Sequence, residues 1–248
     1  MGFPKINLHI HSNYSDGKQN IKQIVERALK LELNYIAITD HFTNSWKSWV
    51  SKLNNYDTII EYLEEISNYQ IYLKDNAKNL MLYKGLEVDL SSSEYFIKKY
   101  IQPDKYELIL FEYLQSPESI AFIKNIIHRW KKVIKDSNEL PILGLAHFDP
   151  SYFIHEHIDV LIPFLKEYNI YFEFNPTYAT FYSRQNELFF EKLRENLIPV
   201  AIGCDSHRLS TLDNIEEPIE MIEYYNLGKN FQNLIETLRN KNLVSWKK

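Results

Sequence analysis

Seven short runs with the pattern of β-strands recur along the chain, each followed by a helical pattern or by a loop and a helical pattern. The runs are 5–11, 35–41, 80–89, 107–114, 141–147, 170–176 and 199–205. Strands separated by helices favour parallel βα units, and this many units favour closure of the sheet into a barrel. A length of 248 residues is ordinary for one such barrel. We therefore predict an α/β barrel that forms a single domain over 1–248.

Helical periodicity supports the same architecture. Apolar residues at helical spacing predict a helix over 21–29. Longer helices are expected over 58–75, from Pro117 to about 136, and over 228–241. No stretch of the sequence resembles a linker that would divide the chain.

Composition narrows the class of protein. The formal net charge of -5 disfavours a protein that coats a nucleic-acid backbone. A basic groove confined to one part of the surface is still compatible with this charge. The single cysteine, Cys204, excludes an internal disulfide and fits a reducing compartment, so we expect a cytoplasmic protein. No leader pattern precedes the first strand, and no apolar run approaches the roughly 18 residues that span a bilayer. We therefore expect no signal peptide and no membrane partner.

Metal-binding side chains stand at the end of nearly every predicted strand. His9 and His11 alternate with Leu8 and Ile10, so both imidazoles project from one face of the first strand. The later strands end in Asp40 and His41, Glu87 and Asp89, Glu112, His147 and Asp149, Glu173 and Asn175, and Asp205 and His207. The carboxyl ends of barrel strands converge on one face, where active sites are built. A multinuclear metal site explains this circuit better than strand capping, which remains the alternative for any one pair.

The series of motifs resembles the PHP (polymerase and histidinol phosphatase) superfamily. The motifs are His9-x-His11, Asp16, Asp40-His41, Gly85-x-Glu87, His147 and Gly203-x-Asp205-x-His207. The resemblance runs from Asn7 to His207. It implies a distorted (β/α)7 TIM-like barrel, up to three divalent metal ions and hydrolysis of phosphate esters.

The resemblance also implies ligands for two or three ions. It assigns His9, His11, Glu87 and Asp205 to the first ion. It assigns Glu87, as a bridge, and His147 to the second, and Asp16, His41 and His207 to the third. Imidazoles and carboxylates together suit zinc, manganese or iron without choosing among them. Such ions lower the pKa of a bridging water and supply hydroxide at neutral pH, with Glu87 and Asp205 as the catalytic carboxylates that hold them.

One position departs from the family pattern. The family places a further histidine, a ligand of the second ion, at the end of the fourth strand, near Leu114 of this chain. Glu112 lies two residues earlier and therefore on the same face of that strand. Glu112 either replaces the missing ligand or is an acid beside a weak or empty second site.

Cationic side chains are expected to bind the phosphate of the substrate. Arg184 is the first candidate because a guanidinium can bind phosphate through two hydrogen bonds. Arg208 and Lys84 are further candidates, and a solvated surface charge is the alternative for each.

Other polar residues have less specific expectations. His128 is expected within a helix as a surface or packing residue. His155 and His157 are expected at the surface, in a loop or at the start of a helix, and Cys204 in the core. Asp40, Asp89, Asp149 and Asn175 either orient metal ligands or cap turns.

The leading hypothesis is a metal-dependent phosphomonoesterase whose partner is a small phosphorylated substrate, such as a histidinol phosphate or a nucleotide. A 3′–5′ exonuclease is the alternative, because aromatic residues could stack on bases. Those aromatic residues are Tyr14, Phe42, Trp46, Trp49, Tyr178, Phe181 and Tyr182. A module with a degenerate site and a binding or structural role comes next, and a hydrolase of C–N bonds comes last. The sequence leaves the oligomeric state open.

Overall fold

Parallel strands form a nearly closed barrel in the computed structural model, which describes residues 2–45, 50, 53–134, 136 and 139–245. The strands are β1 (Ile6–Ile10), β2 (Tyr35–Ile38), β3 (His41–Phe42), β4 (Met81–Asp89), β5 (Leu108–Glu112), β6 (Ile142–Leu145), β7 (Tyr171–Phe174) and β8 (Val200–Ile202). Their order around the barrel is β1-β2-β4-β5-β6-β7-β8, and β3 also pairs with β4. The predicted distorted (β/α)7 barrel is confirmed, and each predicted strand is present. The extent of the domain over 1–248 stays a prediction.

Helices follow the strands and cover the outside of the barrel. They are α1 (Ile21–Lys30), α2 (Tyr56–Asp75), α3 (Glu94–Tyr100), α4 (Pro117–Val133), α5 (Ile158–Tyr168), α6 (Glu187–Glu195), α7 (Glu216–Tyr224) and α8 (Gly228–Ser245). Side-chain caps fix several starts, including a capping box in which Asn20 and Gln23 bond each other's backbone N–H. α4 ends at Val133, slightly earlier than predicted, and none of the helices in the described part of the chain is long and apolar enough to cross a bilayer.

β2 and β3 occupy one strand position of the barrel. Ile38 faces Lys84 of β4, and His41 faces Glu87, so both strands keep the same register. Two residues separate β2 from β3. The fully buried Tyr62 of α2 packs at this interruption of the strand, with its hydroxyl 2.9 Å from the carbonyl oxygens of Ile38 and Gly85. The interruption turns His41 toward the end of the barrel where Glu87 lies.

The barrel closes between β1 and the segment after β8. Ile10 and Ser206 form an isolated parallel bridge. The N–H of His11 donates to the carbonyl of Ser206 at 3.0 Å, and the N–H of Ser206 donates to the carbonyl of His9 at 3.1 Å. These two bonds bring the strand that carries His9 and His11 beside the segment that carries Asp205 and His207.

A buried asparagine extends this closure where the backbones do not pair. The Asn7 amide donates to the hydroxyl of Ser206 at 3.1 Å and to the carbonyl of Leu212 at 3.0 Å. Its side-chain oxygen accepts from the N–H of Cys204 at 2.9 Å and from that of His9 at 3.2 Å. One side chain therefore satisfies backbone groups on both sides of the seam, as a strand ladder would elsewhere.

Substituting Asn7 with alanine should destabilise the protein by about 3 kcal/mol, because it leaves several buried backbone groups without a partner. Urea unfolding measures the change, and Asn125→Ala on the exposed face of α4 is the matched control. A loss below about 0.5 kcal/mol for Asn7→Ala would show that the seam does not depend on this side chain.

Candidate metal centre

The two histidines of β1 meet at the carboxyl end of the barrel. Their side chains are buried, with the Nε2 atoms of His9 and His11 only 3.0 Å apart. Alternation along β1 places both rings on the same face, as predicted. Two imidazole nitrogens at this distance face a common point, as the ligands of one cation do.

The carboxylate of Glu87 lies at the centre of four imidazoles. It is fully buried, 2.7 Å from Nδ1 of His41 and 3.3 Å from Nε2 of both His9 and His147. Nε2 of His11 follows at 3.6 Å. Neither carboxylate oxygen of Glu87 has a hydrogen bond of standard geometry with a described residue, although the ring nitrogens of His41 and His147 lie close enough to donate. A buried carboxylate surrounded by ring nitrogens fits a site built for cations.

The predicted ligands form three overlapping groups whose donor atoms lie within 4.8 Å of one another. The groups are His11, Asp16, His41 and His207; His9, His11 and Asp205; and His41, Glu87 and Glu112. His147 adjoins the last group, because its Nε2 lies 3.3 Å from the carboxylate of Glu87. All residues predicted as metal ligands thus meet in one cluster. His11 and His41 each belong to two of the groups, whereas the resemblance assigns each of them to one ion and shares only Glu87.

Glu112 reaches the cluster from β5. Its carboxylate lies 3.6 Å from Nε2 of His147 and 3.9 Å from Nδ1 of His41. Leu114, where the family places a histidine, is buried and offers no ligand atom. Glu112 therefore occupies the position that the proposed replacement requires, and its role as a ligand stays a prediction.

Three non-glycine residues at strand ends have left-handed backbones. The φ angles are 67° at Tyr113, 30° at His147 and 49° at Asp205. Such conformations cost roughly 1–3 kcal/mol each and persist where the surrounding structure imposes them. Two of the three residues are candidate ligands, so the strained turns aim His147 and Asp205 into the cluster.

Glu173 of β7 supports the cluster from below. Its carboxylate lies 3.0 and 3.1 Å from Nδ1 of His9, and it accepts from the N–H of His147 at 3.1 Å. The Asn175 side chain donates to it at 2.8 Å. The contact between Glu173 and Nδ1 of His9 places the proton of the ring on Nδ1, so Nε2 of His9 can bind a cation. Gly203 is required here, because a Cβ would overlap both Glu173 and His9.

Asp40 holds the turn that follows β1. It is fully buried and accepts from the N–H of Ser12 at 2.8 Å and from the hydroxyls of Ser12 and Ser15 at 2.6 and 2.5 Å. Ser15 also lies 3.3 Å from Nδ1 of His11. Asp40 thereby fixes the turn that carries Asp16, and its effect on the orientation of the ligands stays a prediction.

The remaining predicted supports have local roles. Asp89 accepts hydrogen bonds from Thr43, Ser45 and Ser91, and Asp149 caps the turn at Ser151. His128 and His155 are exposed, and His157 precedes α5, as predicted. Cys204 is buried against the carbonyl of Asn214, which confirms its place in the core.

The pKa values of the residues in the cluster are shifted by their burial and by the ionisable groups that lie beside them. Burial would raise the pKa of Glu87, but His41 and His9 hold it well below its usual value. Burial and the nearby His41 lower the pKa of His11 to about 4. Burial opposes protonation of His207, yet Asp16 and Asp205 raise its pKa to about 9. Carboxylates that stay ionised while crowded by imidazoles are the electrostatic environment of a cation site.

The cluster forms the floor of a cavity of about 330 Å³, which we call the cup. Candidate ligands form part of its lining: Asp16, His41, Glu112, His147, Asp205 and His207. Aromatic residues form another part: Tyr113, Phe148, Tyr152, Tyr178 and Phe181. The remaining lining residues are Leu114, Gln115, Ala146 and Asp149. Among the described residues, no lysine or arginine lines the cup.

The predicted phosphate-binding cations lie elsewhere. Arg184 is exposed, and its guanidinium sits 5.2 Å from the ring centroid of Tyr224 in α7. Arg208 is exposed, and Lys84 lies three residues before Glu87, which turns it to the other face of β4. The structure does not bring these residues into the cup, because neighbouring side chains and strand alternation direct them outward.

The predicted aromatic residues separate into two sets. Tyr178 and Phe181 line the cup, whereas Phe42 packs on Phe96 and Tyr182 is buried beside Phe174. Tyr14 packs on Tyr62 and donates to Glu65. Trp46 and Trp49 lie outside the described residues.

Comparison with known proteins agrees with this geometry. The family model described as PHP domain matches residues 7–173. DNA polymerase/3'-5' exonuclease PolX of Bacillus subtilis (strain 168) is 26% identical over 219 residues, which cover 87% of this chain and 36% of that protein. This chain therefore spans about a third of the length of the curated relative it matches.

Solved structures share the fold at low identity. Histidinol phosphate phosphatase (HISK) from Lactococcus lactis, in complex with zinc, L-histidinol and phosphate, matches with a TM-score of 0.62 at 17% identity, over 92% of this chain and 94% of that chain. A structure from a study of YwqE of Bacillus subtilis and CpsB of Streptococcus pneumoniae, metal-dependent tyrosine phosphatases, matches with a TM-score of 0.58 at 16% identity, over 95% and 94% of the two chains.

Glu173→Gln should lower the affinity for a divalent cation by about 10–100-fold, because His9 loses the charged partner that orients its ring. Titration calorimetry with zinc or manganese measures the affinity. Glu191→Gln, at an exposed position of α6, is the matched control. An affinity within twofold of the wild type would remove Glu173 from this role.

Proposed function

The chain belongs to the PHP domain family, and we propose that it is a metal-dependent hydrolase of phosphate esters, most specifically a phosphomonoesterase of a small metabolite. The observation that carries this proposal is the cluster of imidazoles and carboxylates around the buried Glu87. The match over 7–173 also confirms the family predicted from the motifs.

We propose that the cluster holds two or three divalent cations. His9, His11 and Asp205 would bind the first, Glu87 would bridge to a second with His147 and Glu112, and Asp16, His41 and His207 would bind the third. The nitrogen and oxygen ligands suit zinc, manganese or iron. The presence of zinc in the Lactococcus lactis phosphatase supports zinc as one choice.

Bound cations would activate water and neutralise the charge on the phosphoryl oxygens, which is the chemistry a cluster of this kind supplies. The residues of the chain prepare that chemistry. Glu87 and Asp205 stay ionised because nearby histidines hold the pKa of each carboxyl below its usual value. Glu173 orients His9, and Asp40 fixes the turn that carries Asp16. Arg184, Arg208 and Lys84 are not part of this proposal, given their positions outside the cup.

A small substrate is favoured over a polynucleotide. A cavity of about 330 Å³ suits a compact ligand, and no lysine or arginine is among the described residues that line it. The formal net charge of -5 points the same way. The histidinol and phosphate bound by the Lactococcus lactis enzyme support a histidinol-phosphate-like ester, and a nucleotide remains the second small candidate. The similarity to PolX is the observation that favours a 3′–5′ exonuclease as the alternative.

A panel of phosphate esters tests the proposal on protein loaded with zinc, manganese or iron. The panel includes 4-nitrophenyl phosphate, histidinol phosphate, nucleoside monophosphates and end-labelled single-stranded DNA and RNA. We expect hydrolysis of small monoesters and at least a 100-fold loss in His9→Ala, because a ligand of the first ion is removed. His128→Ala, an exposed histidine of α4, should match the wild type.

Release of nucleotides from DNA or RNA without monoester hydrolysis would establish the exonuclease instead. Failure to bind metal, together with no hydrolysis, would favour a module with a degenerate site.

A further inference from the structure

Aromatic rings form a large part of the lining of the cup. Four of them come from the segments that follow β5, β6 and β7, namely Tyr113, Tyr152, Tyr178 and Phe181, which we call the aromatic wall. Candidate metal ligands line the cup as well. The cup therefore combines charged ligand groups with aromatic rings.

The rings of the aromatic wall are ordered relative to one another and to the cluster. Tyr178 and Phe181 stack in parallel, with centroids 5.3 Å apart and an interplanar angle of 12°. Tyr178 also lies 4.7 Å from the ring of His147, and Tyr113 lies 6.4 Å from it. The wall thus packs directly against a candidate metal ligand.

The chain fixes this arrangement through the same carboxylate that orients His9. Asn175 donates to Glu173 at 2.8 Å and accepts from the N–H of Thr177 at 3.0 Å. The N–H of Tyr178 then donates to the carbonyl of Asn175 at 2.9 Å. Tyr178 has a non-helical backbone, with φ -121° and ψ 45°, between two short helical turns. The position of its ring is therefore tied to the cluster.

A phosphate bound at the cluster would place its ester substituent within reach of these rings, since the ring of Tyr178 lies 4.7 Å from that of His147. The lining offers aromatic ring surface, and no lysine or arginine is among its described residues to bind a second acidic group of the substrate. Flat rings gain more from such a surface than saturated groups of equal size, since stacking adds to the burial of apolar area.

We propose that the aromatic wall selects phosphomonoesters whose alcohol carries a flat aromatic ring, with Tyr178 and Phe181 as the specificity-determining residues. This inference rests on the proposed phosphomonoesterase function. The competing interpretation is that the rings only cover the core, in which case they would not distinguish flat from saturated groups.

Two non-hydrolysable phosphonates of equal charge and carbon number test the selection: benzylphosphonate and cyclohexylmethylphosphonate. Titration calorimetry measures the affinity of the metal-loaded full chain for each of them. We expect benzylphosphonate to bind about 5–10-fold more tightly, in line with the extra strength of aromatic stacking.

Variants identify the residues responsible. Phe181→Leu and Tyr178→Leu should each reduce the preference for benzylphosphonate to less than twofold, and Tyr178→Phe, which keeps the ring, should retain it. Tyr95→Leu is the control, because Tyr95 is 74% exposed on α3 and does not line the cup.

The outcomes separate the two proposals. Equal affinities for the two phosphonates in an enzyme that hydrolyses monoesters would overturn the role of the wall alone. A preference that survives in both leucine variants would overturn the assignment to Tyr178 and Phe181. An absence of both hydrolysis and phosphonate binding in metal-loaded protein would overturn the proposed function, and this inference with it.

Discussion

A fully buried carboxylate surrounded by imidazoles is the constraint on which the rest of the structure depends. Removing an ionised carboxylate from water costs several kcal/mol unless charges and hydrogen bonds replace the solvent. For Glu87, ring nitrogens of His9, His41 and His147 take the place of the solvent, all within 3.3 Å of the carboxylate. A cluster of divalent cations would satisfy the carboxylate and the ring nitrogens together, which explains why so many ligand types converge on one point.

The fold contributes rigidity rather than additional ligands. Asn7 closes the barrel next to the histidines of β1, Glu173 orients His9 from β7, and Asp40 holds the turn that carries Asp16. Each of these polar side chains is buried, and each bonds backbone groups as well as side chains. The ligands therefore stand on segments that several strands hold in place, a requirement for a multinuclear site whose ions must keep fixed distances.

The sequence predicts the strands and the convergence of the ligands for two reasons. Strand alternation depends only on neighbouring residues, and the convergence of strand ends is common to all such barrels. His9 and His11 must share a face, and strand ends must converge. It does not predict the role of Glu173, because the partner lies 164 residues away and only closure of the barrel brings the two together. The orientation of the Arg184 side chain could not be predicted from the sequence either, because it depends on a contact with Tyr224 in a later helix.

The positions of bound cations test the central claim most directly. Crystals of the protein grown with manganese or zinc would locate them by anomalous scattering. The account predicts two or three peaks within about 2.0–2.3 Å of donor atoms in the cluster, one of them beside Glu87. Peaks confined to surface carboxylates, or no peak beside Glu87 in crystals that contain the metal, would contradict it.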